Sequence, residues 1–182
     1  MFRARNLPPM PFSIQTMQIP DVLMTTERNT PFVQFIDRDS GMMVLASDDQ
    51  LRQLVQCDML FMDGTFKTCP SLWSQLYLIK GTFRHGQNLV LSAILLNSKT
   101  QETYTQMFRK LKSLVMEKHG LTIEPRLIMS DFETGLIPAV RQEFPDSQHK
   151  GCYFHYSQAI FRFISNSGLE PYFLKKIKKR SQ

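Results

Sequence analysis

Two aspartates at the ends of apolar stretches are the residues of this chain best suited to chemistry. Asp63 lies in an apolar run that begins at Leu60, and Asp131 follows a run that begins at Leu127. A carboxylate at the end of a buried strand is costly to desolvate unless a cation neutralises it. Two such strands lying side by side would aim both carboxylates at one site, as in a two-metal phosphoryl-transfer centre. The pattern therefore predicts a divalent-metal site containing both aspartates.

Each aspartate also has a purely structural interpretation. Asp63, followed by Gly64 and Thr65, fits an ordinary boundary between a strand and a turn, with its carboxylate accepting backbone hydrogen bonds. Asp131 fits the N-cap of a following helix. Both interpretations stay open at the level of the local sequence.

Composition indicates one globular domain inside a reducing compartment. The 182 residues are 42% hydrophobic and 21% charged, which is enough for one sizeable core and untypical of disorder. No apolar run is long enough to span a membrane, and the first residues lack the apolar core of a signal peptide. Cys57, Cys69 and Cys152 form an odd, sparse set, so we expect no disulfide framework and an intracellular, non-secreted protein.

The net charge of +6 comes mainly from the C-terminal end of the chain. Five basic residues lie there, and the remainder is close to neutral: Lys175, Lys176, Lys178, Lys179 and Arg180. A short basic run of this kind contacts phosphates or acts as a nuclear address, or it is simply the solvated end of a helix. The run alone leaves these interpretations open; together with the family resemblance described below, it gives DNA as the expected partner and the nucleus as the expected location.

The first third of the chain predicts a lead-in, a hairpin and a helix. Residues 1–31 have weak periodicity and predict short extended pieces. Turn residues separate the apolar runs 32–36 and 42–46, which is typical of a hairpin. Ser47 and Gln50 fit a capping box. The helix that they open would bury Leu51, Leu54 and Val55.

The middle of the chain predicts three strands and a long helix. The strands are expected at 59–66, 76–79 and 89–96, with a turn at 85–88 between the last two. Helical spacing follows from Tyr104 to Val115, with Ser98 and Gln101 as a second capping box and Gly120 as a left-handed C-cap.

The last third alternates strands and helices. A continuous apolar run predicts a strand at 126–131, and Pro138 suits the first turn of the helix after it. Another strand is expected at 150–154. The final helix should bury Tyr156, Ala159, Ile160 and Phe163.

This order predicts a mixed α/β fold. Starting at Asp63 it reads strand, strand, strand, helix, strand, helix, strand, helix, which gives a mixed sheet covered by helices. A right-handed crossover through the long helix would set the Asp131 strand parallel to the Asp63 strand and beside it. That is the topology of the ribonuclease H-like fold. We expect a lead-in at 1–31, the ribonuclease H-like domain at 32–165 and a basic tail at 166–182.

Three motifs in order resemble the transposase domain of Mutator-like elements. They are residues 63–67 (Asp-Gly-Thr-Phe-Lys), 130–133 (Ser-Asp-Phe-Glu) and 151–155 (Gly-Cys-Tyr-Phe-His), and the resemblance covers roughly residues 30–165. In that family the domain cuts and joins DNA with an Asp-Asp-Glu site that holds Mg²⁺ or Mn²⁺. The resemblance implies that Asp63 is the first acid and Asp131 the second.

The resemblance also implies a role for Cys152 and His155, which match a Cys-x-x-His pair between the second and third acids. Two such ligands are fewer than the four that a structural zinc needs, so zinc is not expected. Our preferred interpretation is a buried thiol and a partly buried histidine where a strand meets a helix. Cys57 and Cys69 are interpreted as packing residues.

The chain departs from the family at the third acid, which lies on a helix well beyond the Cys-x-x-His pair. This sequence ends at Gln182, so the fold is expected to stop before the last catalytic helix. Glu170 lies in a breaker-rich stretch, and the family does not use Glu133 as the third acid. Two carboxylates hold Mg²⁺ only loosely, so we expect weak ion binding and no activity of this chain alone.

Three classes of function therefore remain. The first is a DNA nuclease and strand transferase that needs an acid from a longer chain or a partner. The second is a non-catalytic transposase relic that binds DNA or protein, with self-association as a further option. The third is an unrelated ribonuclease H-like nuclease in which Glu133 joins Asp63 and Asp131.

Overall fold

The computed structural model describes residues 11–65, 68–83 and 87–171. Within them, two compact units are separated at the Lys150–Gly151 bond. No helix in these ranges is long and apolar enough to cross a membrane.

The first unit is built on a mixed sheet flanked by helices, as the sequence predicted. The described strands are β1 (Val33–Asp37), β2 (Met42–Leu45), β3 (Met59–Thr65), β4 (Gln75–Thr82), β5 (Asn88–Leu96), β6 (Leu127–Ser130) and β7 (Gln148–Gly151). The described helices of this unit are α1 (Asp21–Met24), α2 (Asp48–Gln56), α3 (Gln101–His119) and α4 (Leu136–Glu143).

The strands lie in the order β1-β2-β5-β4-β3-β6-β7. Strands β3, β4 and β5 form the predicted antiparallel meander, and β6 lies parallel to β3 on the other side. This mixed α/β architecture is the one expected of a ribonuclease H-like fold. The predicted order of elements from Asp63 onward is confirmed.

The main core lies between one face of the sheet and helices α2, α3 and α4. Helix α3 presents the predicted apolar side, and Phe108 and Leu111 are almost completely buried. The ring of Phe108 meets the edge of Phe144 at a centroid distance of 5.2 Å. On the opposite face, Met43 and Leu95 pack with Met17 from the lead-in as a second, smaller cluster.

The local signals for helix ends were mostly correct. The Ser47–Gln50 capping box is present, and Gly120 ends α3 in the left-handed conformation with φ of 64°. The capping box predicted from Ser98 and Gln101 was wrong. Thr100 is the N-cap of α3, and its hydroxyl accepts from the backbone N–H of Thr103.

Two other expectations near the N-terminus are refined. Residues 11–31 contain the short helix α1 and an isolated bridge between Thr25 and Pro31, in addition to extended pieces. Cys57 is buried and Cys69 partly buried, both as free thiols, so both are packing residues as predicted. Of the predicted turn at 85–88, residues 85 and 86 lie outside the described ranges.

The second unit contains helix α5 (Tyr153–Asn166). The strand predicted at 150–154 is present as β7, but its bounds were wrong, because β7 ends at Gly151 and Cys152 is already the N-cap of α5. The predicted burial was also wrong, since all four side chains are exposed, Phe163 to 70%: Tyr156, Ala159, Ile160 and Phe163. Helical periodicity identifies the apolar side of a helix, but it does not show whether another element packs against that side.

Candidate functional site

Strand β3 places Asp63 near the carboxyl end of an interior strand. Leu60 and Met62 are buried in the main core, whereas Asp63 is only partly buried. On its antiparallel side Asp63 is the register partner of Leu78 in β4. Pairing with β4 therefore fixes the backbone of Asp63, while its side chain is only partly buried.

Strand β6 places Asp131 at the same edge of the sheet. The parallel register pairs Met59 with Leu127 and ends at Met62 with Ser130. The residue after Met62 is Asp63, and the residue after Ser130 is Asp131. Neighbouring strands lie about 4.8 Å apart, so the backbones of the two aspartates are close enough for a shared ion. The prediction that these strands lie side by side is confirmed, and the metal-binding role stays a prediction.

The end of β6 is held by Ser130, which is completely buried. Its hydroxyl donates to the carbonyl of Asp131 at 2.9 Å and contacts Nε2 of His149 at 2.8 Å. Burial and the nearby Arg141 lower the pKa of His149, which favours the neutral ring. Asp131 thus follows a residue whose side chain is fixed on the β7 side.

A buried tyrosine lies near the two aspartates and was missed by sequence reasoning. Tyr77 is completely buried, and within the described ranges its hydroxyl has no hydrogen-bond partner. Burial raises the pKa of Tyr77 well above its usual value, and the charges of Asp131, Glu133 and Asp63 raise it further. The negative potential of the acids therefore converges on this end of the core. Only the alternation of β4 pointed to an inward side chain at this position.

Glu133 is close to Asp131 in sequence, but its carboxylate is engaged elsewhere. It accepts a hydrogen bond from the hydroxyl of Tyr104, and Nζ of Lys99 lies 3.4 Å from its other oxygen. Burial, followed by the hydrogen bond to Glu133, raises the pKa of Tyr104. The carboxylate thus contacts α3 and the segment before it.

Gln75 extends this group of polar side chains into the core. It is completely buried in β4, and its Nε2 lies 2.9 Å from the Tyr104 hydroxyl and 3.2 Å from the carbonyl of Ser98. The ring of Tyr104 also lies 5.5 Å from that of Tyr77. Sequence reasoning treated Tyr104 only as an apolar helix position, since periodicity does not reveal what a hydroxyl contacts.

The possible ligand atoms at this edge are of the chemical type that hard cations bind. Asp63 and Asp131 provide carboxylate oxygens, the ligands that Mg²⁺ and Mn²⁺ prefer. In the described ranges no group of three or more His, Cys, Asp or Glu side chains is arranged to hold a metal ion. The two aspartates therefore fit part of a coordination shell that also needs water, substrate or another ligand.

Cys152 and His155 lie at the start of α5, within the second unit. Cys152 is the N-cap residue, without a side-chain capping bond, and the ring of His155 contacts Phe154 at a centroid distance of 5.5 Å. His155 is partly buried as predicted, whereas Cys152 is partly buried and not the buried thiol that was expected. A ligand role for the pair remains untested. The basic residues at 175–180 lie outside the described ranges.

Comparison with known proteins identifies the family. A search among curated proteins found no match to the chain. A family model described as the MULE transposase domain matches residues 59–159, which begin at β3 and include β6 and the start of α5. This match spans more than half of the chain and contains all three motifs completely. The chain therefore belongs to the MULE transposase domain family.

Proposed function

We propose that this chain is a transposase-derived DNA-processing domain in which Asp63 and Asp131 bind a divalent cation. One observation carries the proposal. The parallel register of β3 and β6 ends at Met62 and Ser130, so the two aspartates come next to each other at the carboxyl edge of the sheet. Membership of the MULE transposase domain family supports a transposase-derived function. Metal-dependent cleavage and joining of DNA is the reaction that we propose for the family site.

The bound ion and the two aspartates would have different roles in the reaction. When bound, the ion would activate the attacking oxygen and stabilise the leaving oxygen of a phosphodiester. Asp63 on β3 and Asp131 directly after β6 supply negative charge at positions that the paired strands define before an ion binds. Tyr77 is completely buried on β4, the strand that pairs with β3 beside Asp63.

Two carboxylates are a small ligand set for this chemistry. Mg²⁺ demands near-octahedral coordination, and a loosely held ion is misplaced relative to the reacting phosphate. We therefore propose that the 182 residues bind Mg²⁺ or Mn²⁺ weakly and do not cleave DNA by themselves. Glu133 is not included as a ligand, because its carboxylate already contacts Tyr104 and Lys99.

The metal site is tested by thermal unfolding with and without Mn²⁺. A ligand at ten times its dissociation constant stabilises a fold by about 1.4 kcal/mol, so even weak binding gives a measurable shift. We expect that shift in the wild type and its loss in Asp63→Asn and Asp131→Asn.

A matched control is available at the other end of the same strands. Asp58 precedes β3 and forms an ion pair with Arg126, with 3.0 Å between Oδ2 and Nη2. Asp58→Asn removes an aspartate from this pair of strands without touching the proposed site, so its Mn²⁺ shift should equal that of the wild type. An equal loss in all three variants would contradict the site.

Cleavage is tested separately with supercoiled DNA. We expect no Mn²⁺-dependent nicking by the purified 182-residue chain. Robust nicking that disappears in Asp63→Asn would confirm the metal site and contradict the proposed lack of activity. Absence of both ion binding and nicking would favour a non-catalytic transposase relic.

A further inference from the structure

We propose that Glu133 is a positioning residue that, together with Tyr104, fixes the loop carrying Asp131 onto the start of α3. The inference rests on the proposed function, since the task of that loop is to present Asp131 to the cation. It assigns Glu133 to the scaffold of the site and not to the metal shell.

The first argument is the set of contacts made by the Glu133 carboxylate. One oxygen accepts from the hydroxyl of Tyr104, and the other lies 3.4 Å from Nζ of Lys99. The side chain is only 18% exposed, which favours an internal role over a solvated one. Both oxygens therefore have partners on the protein side of the loop.

The second argument is that the Tyr104 hydroxyl is itself fixed. The Gln75 amide donates to this oxygen at 2.9 Å and to the carbonyl of Ser98 at 3.2 Å. The chain of hydrogen bonds thus joins β4, the segment before α3, α3 itself and the loop after β6. Buried networks with all members satisfied restrict their elements to one arrangement.

The third argument is the close approach of the same loop to the backbone before α3. A Cβ at Gly135 would lie 2.3 Å from the carbonyl oxygen of Lys99, so only glycine allows this contact. The carbonyl of Glu133 accepts from the backbone N–H of Leu136 at 3.1 Å and so begins the turn into α4. Side chain and backbone of Glu133 therefore anchor the loop at one point.

This anchor is close enough to control Asp131. Only Phe132 separates the two acids, and two residues of extended chain span at most about 7 Å. Movement of Glu133 is thus passed on to Asp131 over one intervening residue. On the other side, Asp131 follows Ser130, which is held by His149. Asp131, the candidate ligand, therefore lies between Ser130 and Glu133, whose side chains are both held by hydrogen bonds.

The experiment compares Tyr104→Phe with Glu133→Gln in the full 182-residue chain. The probe is Mn²⁺ alone, titrated while free Mn²⁺ is followed by its electron paramagnetic resonance signal. We expect each variant to weaken Mn²⁺ binding about tenfold, the lower end of what loss of an outer-shell partner costs. The double variant should lose no more than either single variant, because both break the same anchor.

Glu143→Gln is the matched control. Glu143 is also little exposed, at 10%, and is also tied to α3, through Arg109 at 2.8 Å and Lys112 at 3.5 Å. It belongs to the far end of α4, so its loss should leave Mn²⁺ affinity unchanged. A weakening equal to that of Glu133→Gln would overturn the inference, because general loosening of the fold would then explain both.

A role of Glu133 as direct ligand predicts a different pattern. Glu133→Gln would then abolish Mn²⁺ binding, whereas Tyr104→Phe would release the carboxylate and leave binding unchanged or tighter. That pattern would overturn the inference.

Amide hydrogen exchange without metal separates this inference from the proposed function. Exchange at residues 132–136 should accelerate in Tyr104→Phe and Glu133→Gln, and not in Glu143→Gln. If Mn²⁺ binding by the wild type does not depend on Asp63 and Asp131, the proposed function fails and exchange alone decides the anchor. Unchanged exchange at 132–136 in both variants would overturn it.

Discussion

The side chains of Ser130 and His149 are joined by a hydrogen bond of 2.8 Å between the serine Oγ and the histidine Nε2. Because the Ser130 hydroxyl donates to the carbonyl of Asp131, its oxygen accepts from the ring. This assigns the proton of neutral His149 to Nε2. The last residue of β6 is thereby linked to β7 and to the candidate metal ligand.

Stability should fall on acidification because of His149. Burial, and then the charge of Arg141, lower the pKa of His149 in the folded state. The unfolded chain therefore binds more protons below a pH of about 6.5, so the stability contribution is complete above that pH and is lost as pH falls through the folded pKa. Urea denaturation at about pH 7.5 and about pH 5 measures this loss.

Two variants identify the group responsible for the pH dependence. His149→Gln should reduce the difference in unfolding free energy between the two pH values. Arg141→Gln should reduce it only in part, since burial remains the larger cause. An identical pH dependence in the wild type and His149→Gln would contradict this assignment.

A substitution at Gly81 should destabilise the fold by overpacking. A Cβ at this position would lie 2.2 Å from Sγ of Cys57 and 2.6 Å from Cδ1 of Leu91. Overpacking of this kind costs about 1–3 kcal/mol, so Gly81→Ala should lower the urea midpoint without changing the slope. Adding Cys57→Ala removes the closest atom. The double variant should therefore lose less free energy of unfolding than the two single variants lose together. A simple sum would mean that the two residues are not in conflict.

Local sequence signals were sufficient where one short-range interaction decides the outcome. Ser47 and Gln50 satisfy each other across one helical turn, and Gly120 adopts a conformation that suits few other residues. The prediction of Ser98 as N-cap was wrong, because Thr100, a second hydroxyl residue before the same helix, takes that position. The two candidates differ only in where the backbone turns, which depends on tertiary packing.

The positions of Asp63 and Asp131 were predictable because strand order fixes them. A meander followed by a crossover helix leaves the next strand beside β3, so Asp63 and Asp131 follow neighbouring register positions at one edge of the sheet. The contacts of Glu133 with Tyr104 were not predictable. They depend on how far the loop after β6 bends toward α3, and apolar periodicity carries no information about that bend.

Truncating Leu111 tests whether α3 covers the sheet as described. Leu111 is 2% exposed in the main core, and removing such a side chain costs about 2–5 kcal/mol. Chemical denaturation of Leu111→Ala should show a correspondingly lower midpoint. Met116 on the same helix is 47% exposed, so Met116→Ala should change stability by only about 0.5 kcal/mol. Equal effects of the two truncations would mean that Leu111 does not face the core.

The basic residues at 175–180 should dominate nonspecific DNA binding. Each phosphate neutralised by a cation releases counterions, and the slope of log affinity against log salt is about −0.9 per contact on duplex DNA. Deleting residues 175–182 removes five positive charges. We expect weaker binding and a slope shallower by up to about 4.5, measured by fluorescence anisotropy across a salt series.

A charge-neutral tail separates charge from chain length in this experiment. Replacing the five basic residues of 175–180 by Gln keeps the segment and removes its cations. It should reproduce the effect of the deletion, because counterion release depends on charge and not on the presence of the backbone. Wild-type affinity and slope in either variant would show that DNA is bound elsewhere on the domain. The positive charges would then have to be sought among the other basic side chains of the chain, whose sum is nearly balanced by its acids.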